Sequence, residues 1–449
     1  MPRILHLGFG NFHRAHQAWY TELANRRAEA AAPWRITGVS MRRPDLRDAL
    51  APEGFAYTLA IRGRDGLDLE RVTVHDEILV AAEDPEAVLR RIADPETRIV
   101  TLTVTEKGYH LDPRDGTLDL ADPRIRADLE AERPQSAVGL LAHGLARRAG
   151  SGAGGLTVIS CDNISGNGRK LRAAVARFAQ AAGLEIGGTA GDRVTFPDTM
   201  VDRITPATTE ELRASVAAAT GRPEAAPVPT ETFSEWIVED DFASDRPAWD
   251  RVGAEIVADV APFEARKLRL LNASHSFLAY AGLLAGHRYV QDAIADPALR
   301  AGVERLFDEA GATLAEEIRD TLPAYRAALL ARFDVVEMKH ELAQIAMDGS
   351  QKVPVRLLPI VRALRQRGLP APQATTAIAS WVAWLVRAAE KGRPVHDPAA
   401  DGLLKIAGSR TGTPALCRAL LEQVTQEPLP EDWIADLAGR TDRILEGKA

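Results

Sequence analysis

Two short runs constrain this chain more than any other feature. Ile99-Val100-Thr101-Leu102-Thr103-Val104 and Leu156-Thr157-Val158-Ile159-Ser160 contain no charged residue. A strand with one wet face alternates apolar and polar side chains. These two do not, so they are expected inside a sheet covered on both faces, the usual setting of parallel strands. Residues 4–7 and 35–40 read as further strands, and helical patterns fall between the strands at 84–93, 136–148 and 169–182. This alternation predicts an α/β fold with an open, mostly parallel sheet and helices on both faces. Residues 54–77 read as an antiparallel excursion around a Gly63-Arg64-Asp65-Gly66 turn. Residues 223–229 read as a link, and 233–242 as a last strand crossing back towards the second half.

From about Ala261 the strand signals stop. Helical patterns then run through 265–284, 297–314, 324–331, 339–346, 355–367, 372–390 and 414–424, separated by Pro, Gly or Asp-Pro steps. At 449 residues the chain exceeds one ordinary core. The reading is a dinucleotide-binding domain over 1–250 and a mainly α-helical substrate and catalytic domain over 251–449.

The formal net charge of −8 argues against nucleic acid or an anionic membrane as partner. Cys161 and Cys417 are too few for a disulfide framework, and no CxxC pair suggests zinc, so no metal is expected. No apolar run reaches the length of a membrane span. Met1-Pro2-Arg3 leads directly into the first strand, with no room for a signal peptide. A cytoplasmic protein is expected.

The first strand breaks at Gly8-Phe9-Gly10-Asn11-Phe12-His13, and a helix from about His13 would carry Ala15, Ala18, Trp19 and Leu23 at helical spacing. Strand, glycine turn and helix open a dinucleotide-binding unit, in which glycines let backbone approach a pyrophosphate. The fingerprint is incomplete, because His13 stands where the third glycine would be. The second strand ends in Met41-Arg42-Arg43-Pro44-Asp45. Acid there favours a free ribose hydroxyl and arginine a 2′-phosphate, so NAD and NADP are both open.

One later segment carries an unusual polar load. Residues 263–277 read as a helix, and at about 100° per residue Glu264, Lys267, Asn272 and His275 fall within an arc of about 140°. A carboxylate, an amine, an amide and an imidazole on one side of an apolar helix make a possible acid/base kit. The alternative is a polar helix face meeting solvent.

Taken together, the Gly8–Gln17 run (Gly8-Phe9-Gly10-Asn11-Phe12-His13-Arg14-Ala15-His16-Gln17), Thr103-Val104-Thr105-Glu106-Lys107-Gly108-Tyr109, Ser160-Cys161-Asp162-Asn163 and Met200-Val201-Asp202-Arg203-Ile204-Thr205-Pro206 resemble the signature blocks of the polyol-specific long-chain dehydrogenases. Lys267, Asn272 and His275 match that family's Lys-x4-Asn-x2-His motif, and residues 344–352 match another block. The resemblance covers nearly the whole chain in the same order. It implies a Rossmann-like domain followed by a helical domain, with the active site between them. It also implies metal-independent hydride transfer between a nicotinamide cofactor, NAD or NADP, and a secondary alcohol of an open-chain sugar derivative, in a monomer or weak homo-oligomer.

By this resemblance Lys267 is the general acid/base, Asn163 and Asn272 are donors to the reacting oxygen, and His275 binds substrate hydroxyls. Glu264 would relay a proton or tune the amine, a plain i,i+3 ion pair being its alternative. Arg332 and His340 match substrate contacts, although Asp334-Val335-Val336 replaces the family's Ser-Asn-Pro. Gly8, Gly10, Phe12 and Arg14 fit the pyrophosphate turn and Arg42 the ribose end. Thr105 and Glu106 fit the nicotinamide side, and Asp202 would anchor the cofactor or orient an active-site group. Lys107 beside the pocket would suit a substrate carboxylate. The sequence thus leans to D-fructuronate and D-mannonate, with mannitol and fructose or another polyol pair as the alternative. A nucleotide-sensing regulator or a scaffold would need neither the Lys/Asn/Asn set nor, for the scaffold, the glycine turn.

Overall fold

Residues 97–102 and 156–160 form neighbouring parallel strands with both faces covered. The computed structural model describes residues 1–27, 32–63, 66–112, 114–149, 151–187, 193–335, 339–409 and 412–447. The chain separates into two units, Met1–Ala261 and Pro262–Ala449. The described strands lie in the first unit: β1 (Arg3–Leu7), β2 (Arg35–Ser40), β3 (Tyr57–Gly63), β4 (Gly66–Val72), β5 (His75–Val80), β6 (Thr97–Leu102), β7 (Leu156–Ser160), β8 (Val194–Thr195), β9 (Thr199–Asp202), β10 (Val228–Glu231), β11 (Glu235–Glu239) and β12 (Glu255–Val257).

The main sheet has the order β5-β2-β1-β6-β7-β8, and all its pairs are parallel. Its strands alternate as a two-sided burial demands. Ile4, Ile36, Ile78, Ile99 and Ile159 enter one core, with Tyr20, Trp236 and Trp249. Leu5, Val39, Val100 and Val158 enter the other, with Val88, Leu141 and Phe178 from the covering helices. Successive strands build outward from β1 on one side and from β6 on the other. The order therefore reverses between these two, leaving a crevice at their carboxyl ends, where ligands of such sheets bind.

Several sequence expectations are corrected. Residues 54–77 are not one antiparallel excursion: β3 and β4 pair antiparallel, but β5 leaves them and joins β2 in the main sheet. Arg64 and Asp65 of the expected turn lie outside the described residues. Residues 223–229 are not wholly a link, because β10 starts at Val228 and pairs with β3. Pro229 is tolerated there because β10 is an edge strand. The 233–242 strand does not cross back: β11 is the middle of a separate sheet, β12-β11-β9. The first helix starts at Asn11 and breaks at His16 before resuming over Gln17–Arg27.

The second unit is helical. Its longest helix, Pro372–Glu390, buries Ala377, Ile378, Trp381 and Leu385 and packs against Ala273–Ala285 and Glu431–Leu445. The pattern over 355–367 is two helices, Gly349–Arg356 and Leu358–Gln366, broken at Leu357 just before Pro359. That over 339–346 shrinks to Leu342–Ile345, since Lys339 takes a positive φ of 42°. Among the described residues no helix is long and apolar enough to cross a membrane.

Beneath the first glycine turn lies a cluster of histidines. His6 on β1 stacks on His13 at a centroid distance of 3.4 Å, and His13 Nε2 lies 3.0 Å from His75 Nε2. This explains why residue 13 is not glycine: its ring fills the space between β1 and β5. One of the two facing nitrogens must donate and the other accept, so the two rings cannot both be charged. Burial pushes His6 down to about 3, and burial with neighbouring positive groups pushes His13 and His75 well down too. The folded values lie below the unfolded value of about 6.5, so this stability is complete above that pH and lost as pH falls. Thermal melts should therefore be flat from pH 8 to 7 and drop below about 6.5, with a limiting slope of up to about 4 kcal/mol per pH unit for three protons. Melting that is unchanged down to pH 5 would contradict the neutral cluster.

Candidate active site

The carboxyl edge of β1 turns at Gly8, whose φ is +97°. The N–H groups of Gly8 and Phe9 both donate to the Val39 carbonyl of β2, at 2.9 and 3.0 Å. A Cβ on residue 8 would fall 2.1 Å from the Thr103 carbonyl oxygen, so glycine is obligatory for the fold. Gly10 differs. Its backbone is extended, with φ −130° and ψ −174°, and a Cβ there would meet nothing closer than 3.7 Å. The chain itself does not require glycine at residue 10. A ligand approaching the backbone above the helix Asn11–Ala15 would, which is the fit expected for a dinucleotide pyrophosphate.

Arg14 is a correction. It is buried, donates to the Ala226 carbonyl at 2.7 Å and Asn11 Oδ1 at 2.6 Å, and lies over the Tyr57 ring. Burial lowers its pKa to about 10. It braces the helix from within, and a phosphate would have to break these bonds to recruit it. Phe12 stacks on His16 at 5.0 Å. Arg42 is exposed just past β2, while Asp45 pairs with Arg43 at 2.7 Å. Asp202 ends β9 and is buried opposite Glu235 of β11.

Past β6, Thr105 adopts φ +67° and ψ 162°. That region is almost reserved for glycine and costs a β-branched residue on the order of 1–3 kcal/mol. Asp162, at the end of β7, holds it there. Its Oδ1 accepts the Thr105 N–H at 2.8 Å, and its Oδ2 accepts the Val104 N–H at 3.0 Å and the Tyr109 hydroxyl at 2.8 Å. Burial pushes this carboxyl up while the three donors pull it down. The turn presents Thr105, Glu106 and Lys107 exposed beside the β1/β6 crevice, and Asn163 is exposed one residue beyond Asp162. Asn167 fixes the same edge: its Nδ2 donates to the carbonyls of Ser160, Asp162 and Thr199, and its Oδ1 accepts the Thr199 N–H. Sequence reading assigned no role to Asp162 or Asn167. The signal was present as polar residues at a strand end, but their partners are distant in the chain.

In the second unit the polar helix is not one α-helix. Ala261–Lys267 is α-helical, Leu268–Asn272 is a π-turn, and Ala273–Ala285 is α-helical again. A π-turn advances roughly 80–85° per residue instead of 100° and often marks a functional site. Over five residues this swings Asn272 and His275 back by about 90°, and Glu264, Lys267, Asn272 and His275 then share an arc of about 70°. The expected arc of about 140° is corrected to half that width. Lys267 is buried at 8% exposure.

Around His275 the unit collects more of the predicted set. The His275 ring lies 5.1 Å from Phe333 and 5.4 Å, edge-on, from His340. Arg332 closes the helix Leu322–Phe333. Burial lowers the pKa of His340, and the positive charges of Arg332 and Lys352 lower it further. Lys352 donates to the Ile345 carbonyl at 3.1 Å. Arg356 reaches the Asn272 carbonyl at 3.4 Å and Ser276 Oγ at 3.3 Å. Sequence reading gave Lys352 and Arg356 no role. Val336, in the loop where the sequence departs from the family it resembles, lies outside the described residues.

The two glycines give a direct test of the first-unit turn. Gly8→Ala should destabilise the fold by about 2–5 kcal/mol, seen as a large fall in melting temperature. Gly10→Ala should melt within about 1 kcal/mol of the parent yet bind nicotinamide dinucleotide at least about tenfold more weakly by titration calorimetry. Unchanged dinucleotide affinity in Gly10→Ala would remove the turn from the cofactor site.

Comparison with known proteins covers both units of the chain. The model of the mannitol dehydrogenase Rossmann domain matches residues 2–251, and that of the mannitol dehydrogenase C-terminal domain matches residues 259–432. D-mannonate oxidoreductase of Escherichia coli (strain K12) is 39% identical over 446 residues, covering 97% of this chain and 91% of that protein. Among solved structures, a substrate-free D-sorbitol dehydrogenase is 31% identical with a TM-score of 0.90, covering 100% of this chain and 94% of that one. Pseudomonas fluorescens mannitol 2-dehydrogenase, solved with NAD and D-mannitol, is 31% identical with a TM-score of 0.81, covering 100% and 92%. The chain belongs to the mannitol dehydrogenase family.

Proposed function

We propose that this chain, an NAD(P)-dependent oxidoreductase acting on secondary alcohols, interconverts D-fructuronate and D-mannonate in the cytoplasm. The observation that carries the catalytic part is the π-turn, which aligns Lys267, Asn272 and His275 on one narrow face. When bound, the nicotinamide supplies or accepts the hydride. In the reducing direction the Lys267 ammonium gives a proton to the carbonyl oxygen, and in the oxidising direction the neutral amine takes it from the hydroxyl. Asn163 and Asn272 donate N–H groups to that oxygen as alkoxide charge develops. His275 binds the neighbouring hydroxyls, and Glu264 tunes Lys267 or relays its proton.

A carboxylate-bearing substrate is favoured by positive charge. Arg332 and Lys352 both act on His340, and Lys107 is exposed on the strained turn that Asp162 holds. The E. coli relative named D-mannonate oxidoreductase supports the same choice. Mannitol and fructose are the second reading, favoured by the relatives named mannitol 2-dehydrogenase. Asp45 is engaged by Arg43 while Arg42 is exposed, so affinity for NAD and NADP should be measured side by side.

Lys267→Ala should lower kcat by about 10²–10⁴-fold and abolish the limb of the pH–rate profile that reports the base, with dinucleotide affinity kept within about twofold. If most turnover at neutral pH survives, Lys267 is not the base. Lys107→Ala should raise the KM for fructuronate at least about tenfold more than that for fructose. An equal effect on both ketones would sink the carboxylate assignment and leave the neutral polyol pair.

A further inference from the structure

Two of the surface cavities among the described residues of the second unit, of about 300 and 330 Å³, differ in how their cations are treated. In the first, Arg362 pairs with Glu427, and Arg365 pairs with Asp432 at 2.8 Å. The second lies where the helices Pro297–Ala312, Pro372–Glu390 and Glu431–Leu445 meet, and its lining includes Arg305, Arg440 and Arg443 but no acidic residue. Among the described residues Arg305 and Arg443 make no ion pair, whereas Arg440 pairs with Asp436 at 3.0 Å.

The guanidinium groups are partly preset. Arg305 Nε donates to Gln373 Oε1 at 3.1 Å, which leaves both terminal nitrogens without a hydrogen-bond acceptor among the described residues. Arg440 Nη1 donates to Thr376 Oγ1 at 2.9 Å. Gln373 is 5% exposed, and its amide nitrogen is buried without a partner. The 19-residue helix starts at this cavity and adds the positive end of its dipole. Its first N–H groups are already held by Glu309, which accepts from Gln373 at 2.6 Å and Ala374 at 2.8 Å. Recognition would therefore come from the arginine forks.

Arg305 and Arg443 are exposed, so water screens their charges, and Glu309 acts on Arg305 and Arg440; what the cavity offers an anion is three guanidinium groups in one lining that holds no acid. Arginine forks match phosphate oxygens in pairs. Ile444 and Pro372 add an apolar wall that would take carbon atoms. The volume is at the low end of ligand pockets, enough for one small phosphorylated molecule. We propose that this cavity binds the dianionic phosphate of a small phosphate monoester, with Arg305 and Arg443 as its principal contacts.

Calorimetric titration of the full chain with glycerol 3-phosphate and with inorganic phosphate, at constant ionic strength set by NaCl, tests this. Each titration is run with and without saturating NAD, so that the glycine turn can be filled. Glycerol 3-phosphate should bind with NAD present, more tightly than inorganic phosphate because of the apolar wall. The Arg305→Ala/Arg443→Ala double variant should weaken it at least about tenfold, and the double lysine variant by less, because charge remains while the fork is lost. Both variants should melt within about 2 °C of the parent, which reports that the substituted unit is folded, and their NAD affinity should stay within about twofold. The proposal is overturned if no phosphate binding is seen, if it disappears when NAD is added, or if the alanine variant binds as the parent does.

Discussion

A single buried carboxylate holds the working edge of the first unit. Asp162 belongs to β7, yet its oxygens are spent on the segment leaving β6, through the N–H groups of Val104 and Thr105 and the hydroxyl of Tyr109. Those bonds oppose two costs. Burial disfavours the charge, and the Thr105 backbone is strained by on the order of 1–3 kcal/mol. Hydrogen bonds to a charged acceptor contribute about 1.5–3 kcal/mol each, so three of them suffice. The exits of two adjacent strands are thereby tied into one piece. Gly8 packs against the same exit from the other side, where its missing Cβ leaves room for the Thr103 carbonyl.

The second unit solves a similar placement problem by other means. Its key groups come from one helix, so their relation is set by helical pitch instead of by ties between loops. The π-turn over Leu268–Asn272 alters that pitch locally, and Arg356 holds the turn by its grip on the Asn272 carbonyl. The surrounding cations Arg332 and Lys352 come from later helices and give the neighbourhood its sign.

Much of this was legible in the sequence, and the parts that were not share a cause. The uncharged strands β6 and β7, the glycine turn and the strand-end polar runs followed from residue chemistry and local period. The helix Pro372–Glu390 carried its proline start and apolar stripe openly. What stayed hidden depended on partners far away in the chain. β5 looked like the tail of a hairpin until its pairing with β2 showed otherwise. Arg14 looked like a phosphate ligand because its burial under Ala226 cannot be read locally. His13 looked like a defect in a glycine fingerprint, and its reason lies on β5, at His75. The helices Val290–Ala295, Ala400–Ala407 and Glu431–Leu445 were missed, although the last carries Trp433, Ile434, Leu437 and Ala438 at helical spacing behind an acidic first turn. The π-turn is the deepest case, because one irregular turn in an otherwise helical pattern leaves no compositional trace.

That irregular turn also governs which changes of length the chain can accept. Removing one residue between Lys267 and Asn272 would restore a regular α-helix and repair its hydrogen-bond ladder, so the backbone would not resist it. Phase would survive as well, because five π steps of roughly 80–85° and four α steps of about 100° end within about 25° of the same direction. The same deletion within Ala273–Ala285 would instead rotate everything after it by about 100°, so length there is fixed by angle. Beyond Gly286, where the helix has ended in a left-handed cap, that constraint lapses and the count of residues is free to drift.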